Sequence, residues 1–218
     1  MDPSFWGPSA WRLLHLLGHG GQPAARTVFE SLGQVLPCVS CRESVKEFLA
    51  DYPPPTVGLA QWIYALHNKV NAKLRSQGKA TCEDPSYESV QKVYAELLSA
   101  GCSRVQFEGW DFLFCIASAK TGTARFWKAL GDALPFEEWR AAWKKAFRFG
   151  KGKVTIKTLW KVRRSVERSL DIVNGERYEH LCKRLMVYRA GCSGHSEIPG
   201  RGCTRKAHPL AQRHTRKH

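Results

Sequence analysis

Apolar residues in the first half of the chain recur every three or four positions rather than in alternation, which is the pattern of helices. Trp11, Leu14, His15 and Gly18 fall on one face of a helix expected to open near Pro8. Val28, Leu32, Val35 and Leu36 mark a second helix, and Val45, Phe48 and Leu49 a third. Pro53, Pro54 and Pro55 stop the third, because proline has no N–H to continue the ladder. A fourth helix is expected from about Val57 to Leu74, with Leu59, Trp62, Ile63, Leu66, Val70 and Leu74 inward. Asp84 as N-cap and Pro85 at the first helical position predict the start of a fifth, which carries Val90, Val93, Tyr94 and Leu97 and stops at Gly101. A short extended segment is expected at Lys153–Lys157. The fold class is all-α: a bundle of about four or five helices, then a second helical bundle.

The second bundle repeats the first. Leu32-Gly33 and Leu36-Pro37 recur 98 residues later as Leu130-Gly131 and Leu134-Pro135, and Arg42 recurs as Arg140. Trp11 matches Trp110 at offset 99, and Val70 and Leu74 match Val166 and Leu170 at offset 96. Tyr87-Glu88 and Lys92 match Tyr178-Glu179 and Lys183 at offset 91, and Ala100-Gly101-Cys102-Ser103 matches Ala190-Gly191-Cys192-Ser193 at offset 90. The offsets only decrease along the chain, as a tandem duplication with small deletions leaves them. Two unrelated bundles sharing helix-end chemistry are the alternative. The expected division is residues 1–104, a second domain at 105–192, and a tail at 193–218 that is rich in Gly, Arg, Lys and His and is read as disordered.

Charge separates the halves. Net charge is +15. Residues 1–104 hold 10 Lys+Arg against 9 Asp+Glu, whereas residues 105–218 hold 24 against 10. Any weak attraction to nucleic acid would come from the basic C-terminal half. With 218 residues and eight tryptophans, the chain has enough material to bury a core. No run of about 18 apolar residues exists to span a membrane. Met1 to Arg12 lacks the layout of a secretory signal, so a cytosolic location is expected unless another route is used.

Of eight cysteines, only Cys38 and Cys41 have motif spacing. Cys38 follows Pro37 at the head of a helix, where unpaired N–H groups and the helix dipole favour thiolate. Two cysteines three apart on a helical turn suit thiol–disulfide exchange. The competing reading is half a zinc site completed by His15 and His19, four apart on one helix. A thioredoxin-like site is disfavoured because no βαβ pattern surrounds the motif. His67, Asn68 and Asn71 form a polar cluster beside the apolar face of the fourth helix. Their partners are either helix carbonyls or a bound ring system with several donors and acceptors. Cys115 and Cys182 are read as small buried hydrophobes.

Three segments carry a family resemblance. Trp6-Gly7-Pro8-Ser9-Ala10-Trp11-Arg12-Leu13-Leu14-His15 resembles the first-helix motif of the Erv/ALR sulfhydryl oxidases, in particular the branch from large DNA viruses. Leu36-Pro37-Cys38-Val39-Ser40-Cys41 resembles the family's redox motif, and Leu66-His67-Asn68-Lys69-Val70-Asn71 its His-Asn-X-Val-Asn motif. The resemblance covers roughly residues 5–98. It implies a helical bundle holding FAD, an enzyme that forms disulfides in protein thiols, and oxygen as acceptor with hydrogen peroxide as product. Cys38 would exchange with incoming thiols and Cys41 would face the flavin. Trp6, Trp11, His15, His67, Asn68 and Asn71 would hold the cofactor, and Lys73, Arg75 or Lys79 would stand for the family's basic residue. No metal is implied. Cys82 matches a loop cysteine that is often disulfide-bonded in cellular members, but its helix partner position is Tyr64.

The resemblance also implies substrates that are thiol proteins or a redox relay protein. Family members are commonly homodimers, a contact that a second bundle in the same chain would replace or alter. A viral origin would place the protein in host cytoplasm or virion, otherwise in the cytosol or mitochondrial intermembrane space. Cys192 and Cys203 flank a Gly-rich segment and could form a shuttle disulfide or be free thiols without function. The second copy has Phe136 and Trp139 at the cysteine positions, and Arg163, Arg164 and Glu167 where the first has His67, Asn68 and Asn71. It is expected to be a degenerate bundle whose bulky rings fill a flavin's space. The rival functions are a zinc-binding adaptor and a basic nucleic-acid-binding adaptor.

Overall fold

The computed structural model describes residues 1–79, 82–101, 106–147 and 154–190. The described residues form eleven helices and no strand. The first half contains α1 (Pro3–His19), α2 (Ala24–Glu30), α3 (Leu32–Val35), α4 (Val39–Asp51), α5 (Leu59–Ser76) and α6 (Tyr87–Ser99). The second contains α7 (Trp110–Ala119), α8 (Ala124–Ala133), α9 (Glu137–Ala146), α10 (Ile156–Ser169) and α11 (Tyr178–Ala190).

Local chemistry moves several helix ends from their expected places. α1 starts before Pro8, because Asp2 caps it by accepting from the Ser4 N–H at 2.8 Å and Pro3 suits the first turn. The second expected helix breaks at Ser31 into α2 and α3. Ser31 Oγ donates to the Thr27 carbonyl at 2.7 Å, a back-bond that bends helices while Val28, Leu32, Val35 and Leu36 stay buried. Ser86, not Asp84, caps α6, accepting from the Ser89 N–H at 3.2 Å. Asp84 is unavailable because Arg75 and Asn71 each donate to its carboxylate at 2.7 Å. Gly101 follows the end of α6 at φ +77°, a conformation that favours glycine. The extended segment expected at Lys153–Lys157 does not form. Thr155 and Thr158 build a capping box that opens α10 at Ile156, and Lys153 lies outside the described residues.

Corresponding helices of the two halves repeat local structure. Arg42 donates to the Leu36 carbonyl at 2.6 Å, and Arg140 donates to the Leu134 carbonyl at 2.7 Å. Cys38 and Phe136 occupy the N-cap positions of α4 and α9. Gly33 and Gly131 leave room where α4 and α9 cross, since a Cβ at Gly33 would meet Lys46 and one at Gly131 would meet Trp143.

The seam between the halves joins helices to their own counterparts: α1 packs on α7 and α2 on α8. Trp6 stacks on Phe112 with ring centres 5.6 Å apart, and a Cβ on Gly109 would strike Leu13. Arg12 pairs with Glu108 at 2.6 Å, and Arg125 with Glu30 at 2.9 Å. The buried side chains of both halves form one hydrophobic cluster.

Candidate functional site

Pro37 and the extended Cys38 backbone set the head of α4, and the first helical turn brings Cys41 back over Cys38. The Cys41 N–H donates to Cys38 Sγ at 3.4 Å, and the Ser40 hydroxyl lies 3.2 Å from the same sulfur. Both thiols are half-buried and neither is in a disulfide. Cys38 is pulled down from its ordinary 9.0 to about 5. The hydrogen bond from Cys41 is the largest cause; it outweighs burial, which acts the other way, and the Ser40 hydroxyl and Cys41 N–H add to it. Between them Val39 is 61% exposed, so the turn that carries the thiols is open to a macromolecule.

A shelf of flat rings forms where α1, α5 and α6 meet. Trp11 stacks on His67 with ring centres 3.9 Å apart, and His15 lies 3.1 Å, nitrogen to nitrogen, from His67. Tyr94 stacks on His15 at 5.0 Å and on His19 at 5.1 Å. Helical spacing puts Trp11, His15 and His19 on one stripe of α1, and Gly18 lets α5 approach closely, since a Cβ there would meet Ile63 at 2.9 Å. The imidazoles are neutral. Burial first, then the neighbouring His67 and His19, lowers His15 to about 3. Burial lowers His67 to about 4 against the opposing pull of Asp84, and also lowers His19. Burial raises the Tyr94 hydroxyl to about 12.

Two buried nitrogens of this shelf, His15 Nδ1 and His19 Nε2, have no hydrogen-bond partner. Orphaned polar atoms among stacked rings suit a ligand with flat rings and ring-edge donors and acceptors. The zinc reading fares differently. His15 bonds His67, His19 Nδ1 bonds the His15 carbonyl, and among the described residues no group of three His, Cys, Asp or Glu could hold a metal ion.

The other expected site residues are distributed around these two features. Lys73 donates to Ser44 Oγ at 2.6 Å, tying α5 to the redox helix α4. Asn71 donates to Asp84 at 2.7 Å, beside the Arg75–Asp84 pair. Asn68 is half-buried beside His67, while Lys79 is exposed and its N–H donates to the Leu74 carbonyl. Trp6 is buried in the seam against Phe112. Cys82 is exposed and free, and Tyr64 instead ties α5 to the following loop by donating to the Pro85 carbonyl at 2.8 Å. Cys115 is fully buried as expected, whereas Cys182 is only half-buried. Cys192 and Cys203 lie outside the described residues, as does the tail 193–218. Sequence reading missed the pairing of Tyr94 with the shelf and the role of Asp84. The four-residue spacing of His15 and His19 put both imidazoles on one face of α1, but nothing in it pointed to Tyr94 on α6.

The second half has other side chains at the positions that align with these. Arg163, the counterpart of His67, lies over Trp110 and Phe114, each 5.9 Å from guanidinium carbon to ring centre. Its charge is held by Glu167 at 2.8 Å and Glu176 at 2.6 Å. Trp139 is buried, 5.0 Å from Phe136 and 4.6 Å from Phe107 between ring centres. A cleft of about 380 Å³ beside this network is lined by Arg12, Glu108, Trp110, Arg163 and Arg184. No sulfur stands in it.

No helix among the described residues is long and apolar enough to cross a membrane. No curated protein and no solved structure matches the chain. Residues 8–93, which carry the Cys38–Cys41 pair and most of the ring shelf, match the model of the Erv1 / Alr family, a family known for FAD-linked sulfhydryl oxidase activity.

Proposed function

We propose that this protein is a sulfhydryl oxidase that makes disulfides in protein thiols, with FAD bound at the ring shelf and oxygen as the final acceptor. The observation that carries the reading is the Cys38 thiol, lowered to about 5, at the head of α4, which Lys73 ties to α5, the helix that brings His67 to a shelf with two orphaned buried nitrogens. Trp11, His15 and His67 would pack on the flat rings, with Asn68 and Asn71 at polar edges. Lys73 and Lys79 would face the diphosphate. Bound FAD supplies a two-electron acceptor for the cysteine pair and a donor to oxygen.

The chain's own sulfurs do the exchange. In the oxidised pair, a substrate thiolate attacks Cys38 Sγ, the Cys38–Cys41 bond breaks, and Cys41 leaves as thiolate. A second substrate thiolate then attacks the substrate sulfur of the mixed disulfide. The substrate leaves oxidised, and Cys38 departs carrying the electron pair. A low thiol pKa makes Cys38 a fast leaving group, which is why its hydrogen bonds matter. Exposed Val39 gives substrate an apolar contact beside the sulfur under attack.

The second half, lacking cysteines at these places, acts as support. Its α7 and α8 cover the faces of α1 and α2, and its rings occupy the counterpart of the cofactor shelf. The test is oxygen uptake by the purified chain with dithiothreitol as donor. Uptake that falls at least about a thousandfold in Cys41→Ala, with flavin still bound, is the expected result. Uptake unchanged by the substitution refutes the proposal.

A further inference from the structure

Between Trp139 and Val166 the chain carries ten Lys and Arg and no Asp or Glu. Three of these are engaged elsewhere: Arg140 caps carbonyls, Lys144 pairs with Asp132 at 3.1 Å, and Arg163 is buried in its ion network. On α10 the remaining cations are ordered. Lys157, Lys161, Arg164 and Arg168 are all exposed and follow one another at four, three and four residues. At about 100° per residue these positions stay within about 60° of arc, so they form one straight stripe about 16 Å long. The opposite face carries Leu159, Val162 and Val166, all buried. Among the described residues Lys157, Lys161 and Arg168 bond to no acid. Arg164 donates to the Asn174 carbonyl at 2.9 Å and lies 3.6 Å from Glu167.

We propose that this stripe of α10 is a docking surface for the phosphate backbone of double-stranded nucleic acid, bound without regard to sequence. Each strand of a double helix presents about one phosphate per 3.4 Å of axis, so a 16 Å stripe lies beside about five. A straight row of exposed cations, in which the one intervening acid, Glu167, is buried against Arg163, matches that ladder. A bilayer is a poorer match, because the large apolar residues of α10 point into the core and leave no apolar face to insert. The surface is separate from Cys38, Cys41 and the ring shelf, and its test is independent of oxidase activity.

The test is anisotropy of a fluorescein-labelled 20-base-pair duplex titrated with the full-length chain. Four phosphate contacts give a log–log salt slope near about −3.6, so affinity falls roughly 150-fold between 50 and 200 mM salt. The Lys157→Gln/Lys161→Gln/Arg168→Gln variant reduces the slope by about 3, and Lys161→Glu alone by about 1. Lys157→Arg/Lys161→Arg keeps the wild-type slope. No duplex binding at 50 mM salt overturns the proposal. So does a triple variant with an unchanged slope, which would send the attraction elsewhere on the basic half. Phosphatidylserine vesicles captured by the wild type in preference to duplex, and released by the triple variant, would reassign the stripe to a membrane surface and overturn it too.

Discussion

The two halves of this chain set the same helices to different ends. Where the first half has Trp11, His15 and His67, the second has Trp110, Phe114 and Arg163, and both sets stack. In the first half the stack leaves two buried nitrogens unpartnered. In the second, a guanidinium sits over the rings and two carboxylates neutralise it. At the head of the next helix the first half has Cys38, whose sulfur accepts from Cys41, and the second has Phe136 above buried Trp139. The lesson is that Arg42 and Arg140, bonding matching carbonyls, and Gly33 and Gly131, admitting matching crossings, preserve the frame. The chemistry resides in the few side chains that differ.

The strongest way to break this comparison is at Trp139. If the second half is support sharing one core with the first, Trp139→Ala destabilises the whole chain by about 3–5 kcal/mol. Denaturant unfolding should then show one transition in which flavin fluorescence and far-ultraviolet dichroism move together. Two separate transitions, with the flavin signal unmoved, would mean that the halves fold independently.

A smaller effect sharpens the claim of a common frame. Arg42→Met and Arg140→Met each remove a charged donor from a backbone carbonyl, and each should cost about 1–2 kcal/mol. Comparable losses support equivalent roles. A loss confined to one half would make the matching hydrogen bonds incidental.

The most local prediction concerns pH. The Cys38 thiol is lowered to about 5, so it is thiolate above that pH and protonated below it. In the reduced protein its alkylation rate by iodoacetamide should be flat from pH 8 to about 6 and fall through a midpoint near about 5. Ser40→Ala should move that midpoint upward. A midpoint near the ordinary thiol value would remove the leaving-group argument.

Much of the candidate site could be read from the sequence because its residues are close along the chain. Pro37-Cys38 and Cys41 lie within one helical turn, and His67, Asn68 and Asn71 within another. The matching Leu-Gly and Leu-Pro pairs lie at matching places, Gly33 and Gly131 at close helix crossings and Leu36 and Leu134 where an arginine bonds back. What escaped depended on tertiary partners. Asp84 has N-cap chemistry, but Arg75 and Asn71 occupy it and Ser86 caps α6 instead. Ser31 breaks a periodic apolar run by bonding back to Thr27. Tyr94 reaches His15 and His19 only once α6 crosses α1, which no spacing within either segment reveals. The exposed stripe on α10 needed the opposite reading: its positions are periodic, but in charge rather than apolarity.

Where flavin binds is most directly tested by the flavin stoichiometry of the purified chain, from its absorbance near about 450 nm. One flavin per chain, lost in Trp11→Ala/His67→Ala and kept in Phe136→Ala, is the predicted result. A chain without flavin, or one whose flavin survives loss of Trp11 and His67, would contradict it.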